Sequence, residues 1–224
     1  HWISDSVGIT QYLTETYAIP STYIPYGSHL FKNPDLKILE KYNLEAYTYD
    51  LIIARMEPEN NIETILDGYV LSEQKRKFII IGRINTPFGK YLVEKFKGNS
   101  NIEFRGGIFD INVLNNVRHF SNLYFHGHSV GGTNPSLLEA MASQGLICAN
   151  DNIFNKSILG SDAFYFNNQE QVAEIINTTD KHNYSYLIEN NNKKIIEKYD
   201  WEIINNQYLD HILNACEKGV KKGR

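Results

Sequence analysis

The side chains best suited to chemistry lie in the stretch His126-Gly127-His128-Ser129-Val130-Gly131-Gly132-Thr133-Asn134-Pro135-Ser136-Leu137-Leu138-Glu139-Ala140-Met141. It reads as a strand end, a glycine-bearing turn and a helix. Asn134 is a good N-cap, and Pro135 suits the first helical position, where its missing N–H costs nothing. A helix start leaves backbone N–H groups unpaired at the positive end of the helix dipole, which suits an anion such as phosphate. Gly131 and Gly132 have no Cβ, so a ligand can approach the backbone closely just ahead of the helix. Glu139 lies one turn in, and helical side chains lean toward the N-terminus, so its carboxylate can reach a group bound there. The pattern suggests a nucleotide, with phosphates on the amides of Thr133, Asn134 and Ser136 and ribose hydroxyls on Glu139. An ordinary βα turn with a solvent-facing Glu fits the same residues, and on the residues alone it is the commoner arrangement.

A second candidate follows the apolar run Tyr49-Asp50-Leu51-Ile52-Ile53-Ala54, which suits a parallel strand covered on both faces. Arg55 comes next. A guanidinium at the C-terminal end of such a strand, in the crevice where doubly wound sheets bind ligands, can hold a diphosphate. A surface Arg weakly paired with Glu57 or Glu59 is the other reading.

The wording of the central stretch resembles the donor-binding motif of retaining glycosyltransferases with two Rossmann-like domains, family 4 in particular, often written E-G-F-G-x-x-x-L-E-A-M. Leu138-Glu139-Ala140-Met141 matches its end, whereas Gly131 stands where the first acid belongs. The run from His126 to Met141 also resembles a bacterial branch that includes rhamnosyltransferases of surface-polysaccharide assembly. Arg55 to Asn61 resembles the family's G-R-x-x-P-E-K-N, which supplies an Arg and a Lys to the donor phosphates; Arg55 matches, and Asn60 occupies the Lys position. Ile24-Pro25-Tyr26-Gly27-Ser28-His29 is similar to I-P-x-G-x-D at the entrance to the second domain, without its Asp.

The resemblance implies Arg55 and Glu139 as the catalytic pair. It also implies a donor site drawn from Gly27, Asn60, Gly106, Gly107, Ile108, His128, Gly131, Gly132, Thr133, Asn134 and Ser136. Gly106, Gly107 and Ile108 would pass the nucleobase, and Gly27 would approach the donor. Tight turns without a ligand explain these glycines equally well. His128 is included for its place beside the turn, although a lone His at a strand end is usually packed or hydrated. No Asp-x-Asp pair stands at a strand end and H-x-H alone is too little for a metal, so no metal ligand is assigned. The implied donor is a nucleotide diphosphate sugar with no separate cofactor, thymidine diphosphate rhamnose being the first guess. The acceptor would be a glycan or lipid-linked glycan, reached through an N-terminal domain, and anomeric configuration would be retained. Two other readings stay open. One is an inactive nucleotide-binding or assembly domain, in view of Gly131 and Asn60. The other is an oxidoreductase or epimerase, disfavoured because no G-x-G-x-x-G follows the first strand.

The bulk properties agree with a globular domain. The 224 residues carry 22 basic and 26 acidic side chains, a net charge of −4. Nothing suggests a general nucleic-acid surface, and at most peripheral membrane contact is expected. No apolar run is long enough to span a bilayer and no signal peptide opens the chain, so the expected location is cytoplasmic, at most peripheral at the inner face of the membrane. Cys148 and Cys216 are far apart and read as buried thiols in a reducing compartment.

Strand-like segments at 77–82, 101–107, 123–126, 146–149 and 163–166 alternate with helical spacings such as Ile62, Ile65, Leu66, Tyr69 and Val70, or Val113, Leu114, Val117 and Phe120. This predicts an α/β fold: a Rossmann-like doubly wound parallel sheet with helices on both faces and extra C-terminal helices, one half of a two-domain B-type glycosyltransferase. The chain begins at His1 without an initiating Met and reads as a fragment. Residues 1–30 are expected to be the tail of an N-terminal acceptor domain, 31–200 the nucleotide-sugar-binding domain, and 201–224 a helix crossing back to the first domain. The basic run Lys218 to Arg224 reads as a frayed, solvated end.

Overall fold

The computed structural model describes the backbone of residues 1–222 and the side chains of residues 1–217. The side chains of the basic run at 218–224, expected to fray, lie outside the described residues. At the N-terminus, strands β1 (Trp2–Ser4) and β2 (Ser21–Tyr23) pair in parallel across helix α1 (Val7–Tyr17). Ser6 caps this helix by accepting from the Ile9 N–H, which satisfies one of the donors a helix start leaves open. Helix α1 buries no residue, and Trp2, Val7, Tyr12 and Tyr17 stand exposed.

A single helical turn, α2 (Leu36–Glu40), leads into the main sheet. Six strands build it: β3 (Tyr49–Ile53), β4 (Lys77–Ile81), β5 (Ile102–Phe104), β6 (Tyr124–His126), β7 (Ile147–Asn150) and β8 (Phe164–Phe166). All neighbours are parallel, in the order β5-β4-β3-β6-β7-β8. Alternate side chains enter opposite faces, so each run is apolar on both sides. Leu51, Ile79, Tyr124 and Ile147 pack with helices α5 (Ile111–His119) and α6 (Pro135–Ala142). Ile52, Phe78, Phe125 and Cys148 pack with α3 (Ile62–Leu71), α4 (Pro87–Phe96) and α8 (Gln169–Thr178) on the other face. The doubly wound sheet foreseen from the alternation is present.

Chain order reverses between β3 and β6, which are neighbours although two strands separate them in sequence. Connections leave these strands toward opposite sides, and the gap outside their C-terminal ends is where such sheets take ligands. Arg55 and His128 follow those two ends.

Helix α7 (Ile153–Leu159) joins β7 to β8, and α9 (Ser185–Lys194) continues through a wide turn, Ile195–Tyr199, into α10 (Trp201–Lys222). Between that turn and α10, Asp200 is extended and bridges Ser28. The apolar stripe of α10 divides: Ile204 is buried, whereas Tyr208, Ile212 and Leu213 are exposed beside the N-terminal segment. Two expectations fail. Val70 is exposed at the end of the buried face of α3, and Cys216 is exposed on α10, so only Cys148 is a buried thiol.

Candidate functional site

A cavity of about 540 Å³ opens at the reversal point of the sheet. Arg55, after β3, and His128, after β6, face it together with Ser136 and Glu139 of α6. The local sequence of α6 explains the last two. Leu137, Leu138, Ala140 and Met141 are buried in the core, so the helix can present only the face that carries Ser136 and Glu139. Those two are three residues apart and therefore share that face. The Asn134 side chain accepts from the Ser136 N–H at 2.9 Å, and Pro135 opens the helix, as its capping chemistry predicts. Ile53, Met56, Ile81, Ile108 and Leu114 make much of the remaining wall apolar.

Glu139 is not free. Its Oε2 accepts from the Arg118 guanidinium at 2.6 Å, and Arg118 is only 1% exposed. The same guanidinium donates to Asn115 at 3.0 Å and Ser136 Oγ at 3.3 Å, and it stands over the Tyr124 ring. The Oε1 oxygen of Glu139 takes no hydrogen bond among the described residues. Arg118 itself lines the cavity, so a ligand there meets a carboxylate already fixed by a buried cation.

His126 and His128 stack with ring centroids 4.3 Å apart and 14° between their planes. His126 is fully buried and neither ring nitrogen has a partner. Burial, with the charges of His128 and Arg118 added, holds its basicity well below the usual imidazole range. Burial also lowers His128, to about 4, and the nearby Arg55 charge adds to it. His128 is therefore a neutral imidazole at neutral pH, able to give or accept one hydrogen bond but not to supply charge. Arg55 is exposed and makes no ion pair among the described residues, so the expected alternative pairing with Glu57 or Glu59 is not formed.

The glycine turn is clamped from three sides. The Asn61 side chain donates to the Gly127 carbonyl at 2.8 Å, and Asn152 and Asn155 donate to the His128 carbonyl at 2.9 and 3.1 Å. From the N-terminal segment, the Asp5 carbonyl receives the Thr133 N–H at 3.3 Å and also the Thr133 hydroxyl.

Several sequence assignments change in this light. Gly132, expected to let a ligand approach the backbone, faces the Asp5 carboxylate instead: a Cβ on Gly132 would stand 2.1 Å from Asp5 Oδ1. Of the amides proposed for phosphate, that of Thr133 goes to Asp5 and that of Ser136 to its own cap, which leaves Asn134, beside the amides of the two glycines. Gly131 has φ +125° and open space around it, a conformation that favours glycine. Asn60 is buried and its side chain donates to the Arg55 carbonyl at 2.8 Å, so it shapes the Arg55 turn instead of lining the cavity. Gly27 lies under Trp201, whose ring would meet a Cβ at 2.7 Å. It lines a second cavity, which Glu139 also borders. Gly107 and Ile108 line the first cavity; Gly106 does not, and its carbonyl accepts from the Gly82 N–H at 2.8 Å.

Sequence reasoning missed Arg118, Arg83 and Phe109 in the cavity wall. Arg83 stands 5.2 Å from the centre of the Phe109 ring, which is 75% exposed at the cavity mouth. A large exposed aromatic directly after Gly106, Gly107 and Ile108 was the available signal for Phe109. Arg118 gave none, because its partner is 21 residues away on another helix.

No family profile and no curated protein matches this chain by sequence. Solved structures do match by shape. Anabaena HepE in complex with UDP and glucose superposes with a TM-score of 0.83 at 17% identity, over 95% of this chain and 62% of that one. This chain has the fold of a glycosyltransferase domain. A glycosyltransferase from Rickettsia africae matches at 0.76 and 18% identity over 93% and 61% of the two chains. Sucrose-phosphate synthase from Thermosynechococcus elongatus matches at 0.78 and 18% over 96% and 58%. The chain thus spans about three fifths of the length of each of these structures. No helix among the described residues is long and apolar enough to cross a membrane.

Proposed function

We propose that this chain is the donor-binding part of a glycosyltransferase that uses a nucleotide diphosphate sugar. The observation that carries the reading is the convergence of Arg55, His128, Ser136 and Glu139 on one cavity at the reversal point of the sheet. The fold relatives support it, since HepE was solved with UDP and with UDP-glucose. In this reading the base lies against the apolar wall near Ile108 and Phe109, and Glu139 Oε1 accepts from the ribose. Arg55 and the remaining amides of the glycine turn meet the diphosphate. When the sugar–phosphate bond breaks, negative charge grows on the departing diphosphate, and the Arg55 guanidinium with the N–H groups stabilises that charge most in the transition state. Neutral His128 offers a hydrogen bond beside it without competing for charge. These cationic and N–H groups allow a reaction that needs no metal ion. Retention of configuration, rhamnose as the sugar and a lipid-linked or glycan acceptor in surface-polysaccharide assembly extend the reading, and they rest on the sequence resemblance. Residues 1–30 and α10 would then belong to the junction with an acceptor domain.

A non-catalytic nucleotide-binding domain is the second reading, favoured by Gly131 carrying no acid and by Asn60 being turned away from the cavity. Calorimetric titration with thymidine, uridine, guanosine and adenosine diphosphates tests the first requirement of both. Binding that prefers one base and weakens at least about tenfold in Arg55→Ala, a loss typical of a charge-assisted contact, is expected. No binding to any of the four overturns the assignment. Sugar transfer by the full-length protein, abolished by the same substitution, separates the enzyme from the binding domain.

A further inference from the structure

Arg118 is the most deeply buried charged side chain at the cavity, and the sequence offers no sign of its role. A buried guanidinium is costly unless its donors are used, and here both Nη groups are used. One Nη donates to Asn115, while the other donates to both Ser136 Oγ and Glu139 Oε2. Ser136 is in turn bonded to the Tyr124 hydroxyl at 2.9 Å, and Tyr124 belongs to the central strand β6. The Glu139 carboxylate is therefore tied through Arg118 and Ser136 to the rigid sheet. A carboxylate has about four acceptor positions, and those on Oε1 remain open. An unrestrained Glu on a helix surface would sample several rotamers, and ordering it would oppose ligand binding.

We propose that Arg118 is a positioning residue, holding the Glu139 carboxylate so that its free oxygen is presented to the ribose hydroxyls of a bound nucleotide. The proposal rests on the nucleotide-binding reading above. Arg118 acts through Glu139; it stands in the cavity wall with only 1% of its side chain exposed, and its charge reaches the nucleotide by way of the carboxylate. Its Nε has no partner, so the guanidinium is held at its Nη ends only, by Asn115, Ser136 and Glu139. Lysine could keep the charge but could not bridge three acceptors with a planar fork.

The test is a thermodynamic cycle on calorimetric affinities with two probes: the best-bound of the four nucleoside diphosphates, and its counterpart lacking the ribose hydroxyls. Arg118→Gln should weaken the first by at least about tenfold, the loss expected for misplacing a charged acceptor. It should leave the second unchanged, and it should add nothing in a Glu139→Gln background. Arg118→Lys should fall between wild type and Arg118→Gln. Should Arg118→Gln fail to fold, Asn115→Ala loosens the same guanidinium from outside, with a smaller loss again confined to the probe that has its hydroxyls. Equal losses for both probes, or losses that add to that of Glu139→Gln, would overturn the proposal and make Arg118 a direct ligand contact or a general support. If Glu139→Gln weakens binding and neither Arg118→Gln nor Asn115→Ala does, the proposal alone falls. If the wild-type protein binds none of the four diphosphates, the nucleotide reading falls and takes the proposal with it.

Discussion

Asp50, near the N-terminal end of β3, and Glu139, on α6 at the opposite side of the sheet, each face a guanidinium, and the difference between them separates support from function. Asp50 is fully buried. It accepts from Arg76 at 3.2 Å, from the Asn122 side chain at 3.1 Å and from the Leu123 N–H at 3.2 Å. The carboxylate itself has no route to water or ligand, although Arg76 keeps 19% exposure, and the cluster ties β3, β6 and the end of α8, where Arg76 also meets the Ile176 carbonyl. Glu139 reverses the burial: its arginine is hidden, and the carboxylate side chain keeps 33% exposure beside the cavity, with Oε1 unbonded among the described residues. A completed polar network holds a fold together, whereas one left open toward a cavity is available to a ligand.

The largest expected effect breaks the closed cluster. Asp50→Ala takes one acceptor from each of Arg76, Asn122 and the Leu123 amide and should cost about 3–5 kcal/mol in chemical denaturation. Glu139→Gln can still accept from Arg118 and should cost less, about 1–2 kcal/mol, while it weakens nucleotide binding. A larger stability loss at Glu139 than at Asp50 would invert the comparison.

Next comes pH. His128 is held neutral in the folded protein down to about 4, whereas an unfolded histidine protonates near its ordinary value. Between those limits the unfolded chain binds more protons. The stability from His128 is therefore complete above about pH 6.5 and lost as the pH falls toward 4, by roughly 2–3 kcal/mol. His126 acts in the same direction. Urea midpoints measured from pH 7.5 to 4.5 should fall, and His128→Gln should flatten part of that fall; an unchanged slope would show that other groups control it.

The smallest effect belongs to Lys181, which is 7% exposed and has no carboxylate partner among the described residues. Its ammonium donates to the His119 carbonyl and stands 5.5 Å from the centre of the Tyr47 ring. Burial lowers its basicity to about 7, so it gains little from being charged. Lys181→Met should shift stability at pH 7 by less than about 1 kcal/mol, because one hydrogen bond is exchanged for a relieved burial cost. A loss as large as that of Asp50→Ala would show that buried charge matters here even without a partner.

Legibility in the sequence followed the range of the interactions. The strands and most helices were readable because period and capping are local: Asn134, Pro135 and the apolar face of α6 fixed the helix that carries Glu139. Arg55 and Glu139 were readable as candidates from their positions beside strand and helix ends. Arg118 was not, because α5 shows only the Val113, Leu114 and Val117 stripe, and its bond to Glu139 is tertiary. Asn60 shows the converse error. Its place matched a motif position, but that place does not reveal that its side chain turns inward to the Arg55 carbonyl. The carboxylate against Gly132 was equally unreadable, since Asp5 lies near the other end of the chain.

The bond from Asp5 to Thr133 places the two sheets in mechanical series. Residues 1–23 form a unit with its own strands, and through Asp5 that unit holds the turn that opens α6. A tilt of that unit would be transmitted to the amides before Asn134 along a path only a few atoms long. The glycine turn thus works as a coupling as much as a cradle, and its geometry is set jointly by the sheet beneath it and the segment lying across it.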